Sequence, residues 1–182
     1  IFLSSITINL MLKFLGHAGF MYETDKQLLL MDPWMSKSGA FDSSWYQFPS
    51  NHEFGDEIRN IIEKSNKDIY IYISHEHKDH FDVPYLTTLE LEKINFITPK
   101  FRRDHVASVL NKLNPKSVIT PVDSELINID NLEIRLFLDD QEIVRDSALG
   151  LIDKDRDFTF LNLNDCKVYD RVDELKAIYK KF

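Results

Sequence analysis

Cysteine is almost absent from this sequence, which has Cys166 alone among its 182 residues. A single cysteine excludes an internal disulfide framework and any metal centre built from several thiolates. It also fits a reducing, cytoplasmic setting. The uncharged run at residues 1–10 is too short to span a bilayer, and it lacks the basic leader and the cleavage site of a secretion signal.

Positive charge is also scarce. Lys and Arg number 22 against 30 Asp and Glu, which gives a formal net charge of −8. This balance argues against general affinity for nucleic acid or for an anionic membrane. A phosphorylated small molecule is still compatible with it, because a bound metal ion can reverse the sign of the local field.

Linker-like composition is missing as well. The chain has five glycines and six prolines, and no repeat or low-complexity segment divides it. We therefore expect one domain over residues 11–182. Met11 offers a native start, and residues 1–10 either precede the domain or extend its first strand over Ser5–Leu12.

Apolar residues recur with strand and helix periods in alternation, which favours a mixed α/β fold of packed sheets and helices. Strands are predicted at Leu12–Leu15, Ala18–Glu23, Gln27–Met31, Asp68–Ile73, Asn95–Thr98, Ser117–Thr120, Leu132–Leu138, Leu149–Ile152 and Phe158–Leu163. Helices are predicted at Asp56–Lys64, at Asp104–Leu113 and at Val172–Phe182, the last with Asp170 as its N-cap.

Between the third strand and the first helix lies a long irregular stretch, residues 32–51, that is rich in aromatic side chains. Loops of this length are often functional. The alternative is that the rings close the bottom of the core, and the sequence leaves both interpretations open.

Metal-binding side chains are concentrated at His75–His80, directly after the apolar strand Asp68–Ile73. On an extended chain, residues two apart point the same way, so His75 and His77 can reach one ion. Asp79 and His80 can reach a neighbouring point, and two ions about 3.5–4 Å apart would form a two-metal hydrolytic site. A chance histidine-rich surface loop is the alternative, which the position after a core strand disfavours.

The pattern His-x-His-x-Asp-His at His75–His80 resembles the signature of the metallo-β-lactamase superfamily. Phe14–Phe20 and Leu30–Trp34 look like the opening of the branch that contains ascorbate-phosphate lactonases and N-acyl-phosphatidylethanolamine phospholipases. The resemblance extends over about Met11–Cys166.

Other stretches are similar to the β-lactamase-like domain of CMP-N-acetylneuraminate hydroxylases and their bacterial relatives. They are Asp32–Trp34, Ala40–Pro49, Asp146–Leu149 and Leu161–Cys166.

The resemblance implies a metallo-β-lactamase-like αββα sandwich with further ligands downstream of the motif. His75 and His77 match the histidines of the first ion, and Asp79 with His80 matches the pair of the second ion. Asp165, after the strand predicted at Phe158–Leu163, matches the bridging aspartate.

The third ligand of the first ion is usually a histidine, but none follows His105, and Asp146 is the stand-in. Zinc is the first expectation for one or two bound divalent ions. A carboxylate at Asp146 would make the site harder and could favour iron or manganese. The last superfamily histidine is missing from the sequence. We therefore expect a C-terminally truncated domain whose exposed apolar sheet surface favours a homodimer or a partner subunit.

Four more residues are candidates for contacts with substrate or for support of the ligands. The resemblance places His17 near the active site, although a plain turn residue is the alternative. Asp32 could orient a metal-binding histidine. Trp34 and Trp45 belong to the loop that would choose the substrate.

These observations predict a metal-dependent hydrolase in which a metal-bound hydroxide attacks a small phosphoester, lactone or amide. Asp79 is the candidate catalytic residue, which would hold the second ion or accept a proton from water. The alternative is a substrate-binding or scaffold module of a CMP-sialate-hydroxylase-like oxygenase, whose Rieske centre one cysteine cannot build. A degenerate relative that keeps metal for stability is the third interpretation.

Overall fold

The computed structural model describes residues 11–141 and 145–179. Two β-sheets face each other, and helices cover the outer face of each sheet. The predicted αββα sandwich is therefore confirmed. The two interpretations of residues 1–10 concern a segment outside the described residues; the first described strand begins at Leu12.

The larger sheet has six strands in the spatial order of the sequence. The first three pair antiparallel, and the third to the sixth pair parallel. They are β1 (Leu12–Gly16), β2 (Gly19–Glu23), β3 (Gln27–Met31), β4 (Asp68–Tyr72), β5 (Ile94–Ile97) and β6 (Ser117–Ile119). Every residue of β3 is buried, as expected for a central strand covered on both faces.

The smaller sheet is antiparallel throughout, in the order β10-β9-β8-β7. Its strands are β7 (Leu126–Ile129), β8 (Leu132–Asp140), β9 (Arg145–Asp153) and β10 (Phe158–Asn162). The first of these strands was not predicted, and β9 begins four residues earlier than predicted. Asp146 therefore lies inside a strand rather than ahead of one.

The inner core fills the space between the two sheets. Leu29, Met31 and Tyr72 of the larger sheet pack against Leu136 and Leu149 of the smaller one, and all five are buried. Alternate residues along each strand face this layer, because successive side chains of a strand point to opposite faces. The two sheets are therefore held together by apolar burial.

Four helices cover the outer faces: α1 (His52–Lys64), α2 (Val83–Leu86), α3 (His105–Lys112) and α4 (Val172–Ile178). The first begins four residues before the predicted start. The second was not predicted. Asp170 does not cap the last helix, because a 3-10 turn at Tyr169–Arg171 precedes it.

The outer face of the smaller sheet is covered by α4. Leu175 and Tyr179 pack against Phe137 and Ala148, all of them buried. Gly150 makes room for this contact, because a Cβ there would collide with the Tyr179 side chain. The prediction that apolar sheet surface is exposed is therefore wrong for the part of this outer face that α4 covers.

One edge of the sandwich collects the polar residues. Strands β1, β3 and β4 run in the same direction, so the residues that follow them, including His17, Asp32 and His75, emerge together. The start of β9 and the end of β10 meet there as well, and these bring Asp146 and Asp165. Ligands commonly bind where parallel strands end at their carboxyl edge. Within the described residues, no helix has the length and apolarity needed to cross a membrane.

Candidate metal centre

The metal-binding motif leaves β4 and then turns back on itself. The N–H groups of His80 and Phe81 both donate to the carbonyl oxygen of His77, at 3.1 and 2.7 Å. This turn returns Asp79 and His80 to the neighbourhood of His75. The turn therefore brings the potential ligand atoms of His75, Asp79 and His80 close together.

The first donor group comprises His75, His77 and Asp165, which offer ligand atoms within 4.8 Å of one another. Nε2 of His75 lies 2.8 Å from Nδ1 of His77. His75 is buried, whereas His77 and Asp165 are exposed. One side of this group is therefore open to solvent.

The second donor group comprises His17, Asp79 and His80, again within 4.8 Å of one another. Nε2 of His17 lies 3.0 Å from Oδ2 of Asp79 and 3.1 Å from Nε2 of His80. Asp79 and His80 are buried.

Asp165 joins the two groups. It belongs to the first group, and its Oδ2 also lies 3.6 Å from Nε2 of His80 in the second. A carboxylate between two such groups can bind one ion with each oxygen. This is the place that the resemblance assigned to a bridging aspartate.

The residues fit divalent metal ions. Oδ1 of Asp79 is buried without a hydrogen-bond partner among the described residues. A buried carboxylate oxygen without a partner is costly, and a bound cation would satisfy it. Imidazole and carboxylate together suit zinc and other borderline divalent ions.

A buried hydrogen-bond network holds the histidines in place. Oδ2 of Asp32 lies 2.9 Å from Nδ1 of His80, and Oδ1 accepts the N–H of Ser74 at 2.8 Å. The hydroxyl of Ser74 donates to Asp32 and lies 2.9 Å from Nδ1 of His75. The rings of His75 and His80 thus have Nδ1 engaged and Nε2 facing a donor group. Hydrogen-bond partners outside the ligand set commonly orient metal-binding histidines in this way.

Asp146 lies behind the first donor group. Its Oδ1 is 3.2 Å from Nδ1 of His75, the ring nitrogen opposite the one that faces His77. The same oxygen accepts the N–H of Ser147. The structure therefore places Asp146 against His75 but does not bring it into the group formed with His77 and Asp165.

Charge around the second group shifts two pKa values. Burial would lower the pKa of His80, but Asp32, Asp79 and Asp165 together raise it to about 9. Burial would raise the pKa of Asp79, but the hydrogen bond with His17 and the charge of His80 hold it below its ordinary value. These two shifts favour a protonated His80 ring beside an ionised Asp79.

The aromatic loop contributes two rings to the wall of the site. Trp34, which is buried, and Trp45, which is half-exposed, meet the His17 ring edge-on at centroid distances of 5.5 and 5.7 Å. Phe41 approaches His77 at 6.3 Å. By contrast, Phe41, Trp45, Tyr46 and Phe48 are exposed, so these four rings do not close the core.

Four supporting residues escaped the sequence analysis: Ser74, whose contacts are given above, Tyr72, Asp82 and Ser147. Ser147 donates through Oγ to the carbonyl oxygen of Ser74 at 2.8 Å, and Tyr72 contacts the same hydroxyl at 2.7 Å. Asp82 accepts the N–H groups of Met35 and Ser36, at 2.8 and 2.7 Å. Ser74 and Ser147 each lie next to a candidate ligand in the sequence, which was the available signal, whereas Tyr72 and Asp82 have no such neighbour.

Residues 11–150 match the family model described as "Beta-lactamase superfamily domain". The match covers most of the sequence and includes the whole His75–His80 motif. The chain therefore belongs to the beta-lactamase superfamily domain family.

Two curated relatives, from Mycolicibacterium smegmatis and Mycobacterium tuberculosis, are each 30% identical over 162 residues. Both are provisionally named Rieske 2Fe-2S iron-sulfur proteins. Each alignment covers 85% of this chain but only 29% or 30% of the relative. The chain thus spans less than a third of the length of these relatives.

Two solved structures show the same fold at low identity. A Veillonella parvula protein, provisionally described as a metal-dependent hydrolase, has a TM-score of 0.64 at 11% identity, covering 91% of this chain and 66% of that one. CmlA, a diiron beta-hydroxylase from Streptomyces venezuelae, has a TM-score of 0.62 at 16% identity, covering 92% of this chain and 32% of that one. The same fold is therefore found in a protein described as a metal-dependent hydrolase and in a diiron beta-hydroxylase.

Proposed function

We propose that this domain is a metal-dependent hydrolase that acts on a small phosphoester, lactone or amide. The observation that carries the proposal is the pair of donor groups joined by Asp165. When bound, divalent ions lower the pKa of a coordinated water toward neutrality and polarise a carbonyl or phosphoryl oxygen.

The residues divide into those that hold ions and those that hold the ligands. His75, His77 and Asp165 would hold the first ion, and Asp79 with His80 the second. We propose Asp79 as the proton acceptor as well, because its Oδ1 has no hydrogen-bond partner in the described part of the chain. Asp32 keeps Nδ1 of His80 engaged, which leaves Nε2 available for a ligand bond.

Substrate would approach from the solvent side of the donor groups. A cavity of about 220 Å³ is lined by His17, Asn162, Asn164 and Asp165. A second cavity of about 400 Å³ lies between the aromatic loop and the motif loop, with Asp42, Lys78 and His105 among its lining residues. Both volumes suit a small molecule or part of one.

A second candidate function is favoured by the names of the curated relatives. Both are called Rieske 2Fe-2S proteins and are more than three times as long as the matched segment. In that case the domain would belong to an oxygenase of the CMP-sialate-hydroxylase kind, as its substrate-binding or metal-binding module. Its two ligand carboxylates, Asp79 and Asp165, would suit iron better than an all-histidine site.

Elemental analysis of protein purified without chelators tests both candidates. We expect at least one transition ion per chain. Turnover of phosphodiester or lactone substrates by the reloaded protein would support hydrolysis. Iron occupancy with reductant-dependent oxygen consumption, and no hydrolysis, would favour the oxygenase module. No ion after growth in metal-supplemented medium would refute the hydrolase and the metal-binding role in an oxygenase, and would leave the substrate-binding module as the remaining candidate.

A further inference from the structure

We propose that His17 is a direct ligand of the second ion, so that its site is built from His17, Asp79 and His80 with Asp165 at its edge. This inference rests on the proposed metal-dependent function. It assigns His17 a role beyond lining the site or forming the turn between β1 and β2.

Distances around the second group suit a single ion. Ligand atoms about 2.0–2.2 Å from a tetrahedral ion lie roughly 3.3–3.6 Å from one another. The pairs formed by His17, Asp79 and His80 are separated by 3.0, 3.1 and 3.7 Å. Oδ2 of Asp165 stands 3.6 Å from Nε2 of His80 and supplies a fourth donor on the solvent side.

The chemistry of these atoms also calls for a cation. Nδ1 of His80 is engaged by Asp32, so its Nε2 carries the lone pair when the ring is neutral. Nε2 of His17 faces that atom at 3.1 Å, and two imidazole nitrogens can share only one proton. Beside them, Oδ1 of Asp79 has no hydrogen-bond partner within residues 11–141 and 145–179. A single proton cannot pair with both imidazole nitrogens and the Asp79 carboxylate at once, whereas one metal ion can bind all three residues.

The backbone fixes His17 in this position at some cost. Its φ is +50°, in the left-handed region that residues with a Cβ seldom adopt, and Gly16 before it has a φ of +108°. Such conformations cluster at functional sites. Trp34 and Trp45 meet the ring edge-on from two directions. A ring held this way is pre-positioned for coordination.

A merely positioning role for His17 would also use these contacts, through a hydrogen bond to Asp79. The two roles differ in the effect of glutamine, which can keep a hydrogen bond near the position of Nε2 but is a poor ligand for a transition ion. His17→Gln should therefore preserve a positioning role and lose a ligand.

The test is metal titration of the chelator-treated protein with Co²⁺ and Zn²⁺, followed by calorimetry, visible spectroscopy and elemental analysis. We expect two ions in the wild type. His17→Ala and His17→Gln should bind the first ion normally and the second at least 100-fold more weakly. At metal concentrations that fill both sites, X-ray absorption should show fewer imidazoles per ion in both variants, because three histidines rather than four would then hold two ions. His105→Ala, a histidine on α3 outside both donor groups, is the matched control and should bind two ions.

Two results would overturn the inference. One is a second ion bound by His17→Gln with wild-type affinity and an unchanged Co²⁺ spectrum, which would make His17 a positioning residue. The other is a wild-type protein that binds a single ion, together with a His17→Ala variant that still binds that ion. Neither result would contradict the proposed metal-dependent function. A folded wild type that binds no ion would refute that function and the inference together.

Discussion

Two buried carboxylates at opposite ends of the sandwich have contrasting environments. At the far end, Asp153 accepts hydrogen bonds from Tyr22 at 2.7 Å, Asn131 at 2.8 Å, Arg156 at 3.0 Å and the N–H of Asp155 at 2.9 Å. At the site end, Asp79 contacts two histidines through Oδ2, and none of the residues that the structure describes makes a hydrogen bond to its Oδ1.

The contrast separates a structural carboxylate from one that awaits a ligand. Buried polar clusters with all partners in place stabilise and specify a fold. A buried oxygen without a hydrogen-bond partner costs roughly 1–3 kcal/mol. Such an oxygen persists in native proteins where it serves function. We therefore expect changes at Asp153 to alter stability and changes around Asp79 to alter metal binding.

The largest effect should follow loss of a first-group histidine. His75→Ala or His77→Ala removes a donor nitrogen, and we expect the first ion to bind more than 100-fold more weakly, beyond the roughly 10–100-fold loss typical of outer partners. Elemental analysis after dialysis measures this loss. Equal occupancy in His75→Ala and in the control His105→Ala would contradict the assignment.

At the other end, Asp153→Asn should destabilise the protein by about 2–4 kcal/mol, because it removes charge-assisted hydrogen bonds from a buried cluster. Metal content should not change. Denaturant unfolding measures the difference.

The stability that Asp153 contributes should also depend on pH. Burial would raise its pKa, but hydrogen bonds from Tyr22 and Arg156 lower it below the ordinary value. The contribution is thus complete above that ordinary value and is lost as the pH falls through the lowered pKa. The gap between wild type and Asp153→Asn should narrow in acid; a gap that widens there would contradict this account.

Asp32→Ala should weaken ion binding by roughly 10–100-fold, since it frees Nδ1 of His80 and removes the acceptor of Ser74. Calorimetry with the metal-depleted protein measures the affinity. Unchanged affinity would show that the network holds the fold alone.

Asp146→Asn tests the remaining ligand assignment. An asparagine oxygen can still accept a hydrogen bond from Nδ1 of His75, so the observed geometry predicts less than a tenfold loss of affinity. A loss as large as that of His75→Ala would instead make Asp146 a direct ligand.

The smallest effect is expected from Trp45→Ala. This ring is half-exposed and meets His17 only edge-on, a contact of about 0.5–1 kcal/mol. The affinity for the second ion should change less than tenfold. The free energy of unfolding should fall by no more than this contact energy. A collapse of metal binding would indicate that Trp45 holds the loop and the ligands as one unit.

Regular apolar periods made most of the fold predictable. Strand β3 has the predicted bounds, and β4 ends one residue before the predicted end. Helix α2 escaped notice because Pro84 suggests a break, although proline fits the first turn of a helix. Strand β7 is too short, at four residues, to show a clear period.

From spacing alone, the site was predictable only where its residues are close in sequence, and the family resemblance was needed to add His17, Asp32 and Asp165. The spacing of His75–His80 indicates two donor pairs by itself. The approach of Asp146 to Nδ1 of His75 depends instead on where β9 starts. The link from Ser147 to Ser74 joins residues 73 positions apart. No local pattern encodes such contacts, because they arise from the packing of one sheet on the other.

Asp82 has a consequence for how this domain can diversify. Its carboxylate fastens the start of the aromatic loop to the motif loop through Met35 and Ser36, and it caps α2 through Tyr85. Beyond that anchor, Phe41, Tyr46 and Phe48 extend into solvent. Substitutions or insertions in this tip can reshape substrate preference while the reactive atoms stay in register. Selection can therefore act on specificity and on chemistry as nearly independent traits.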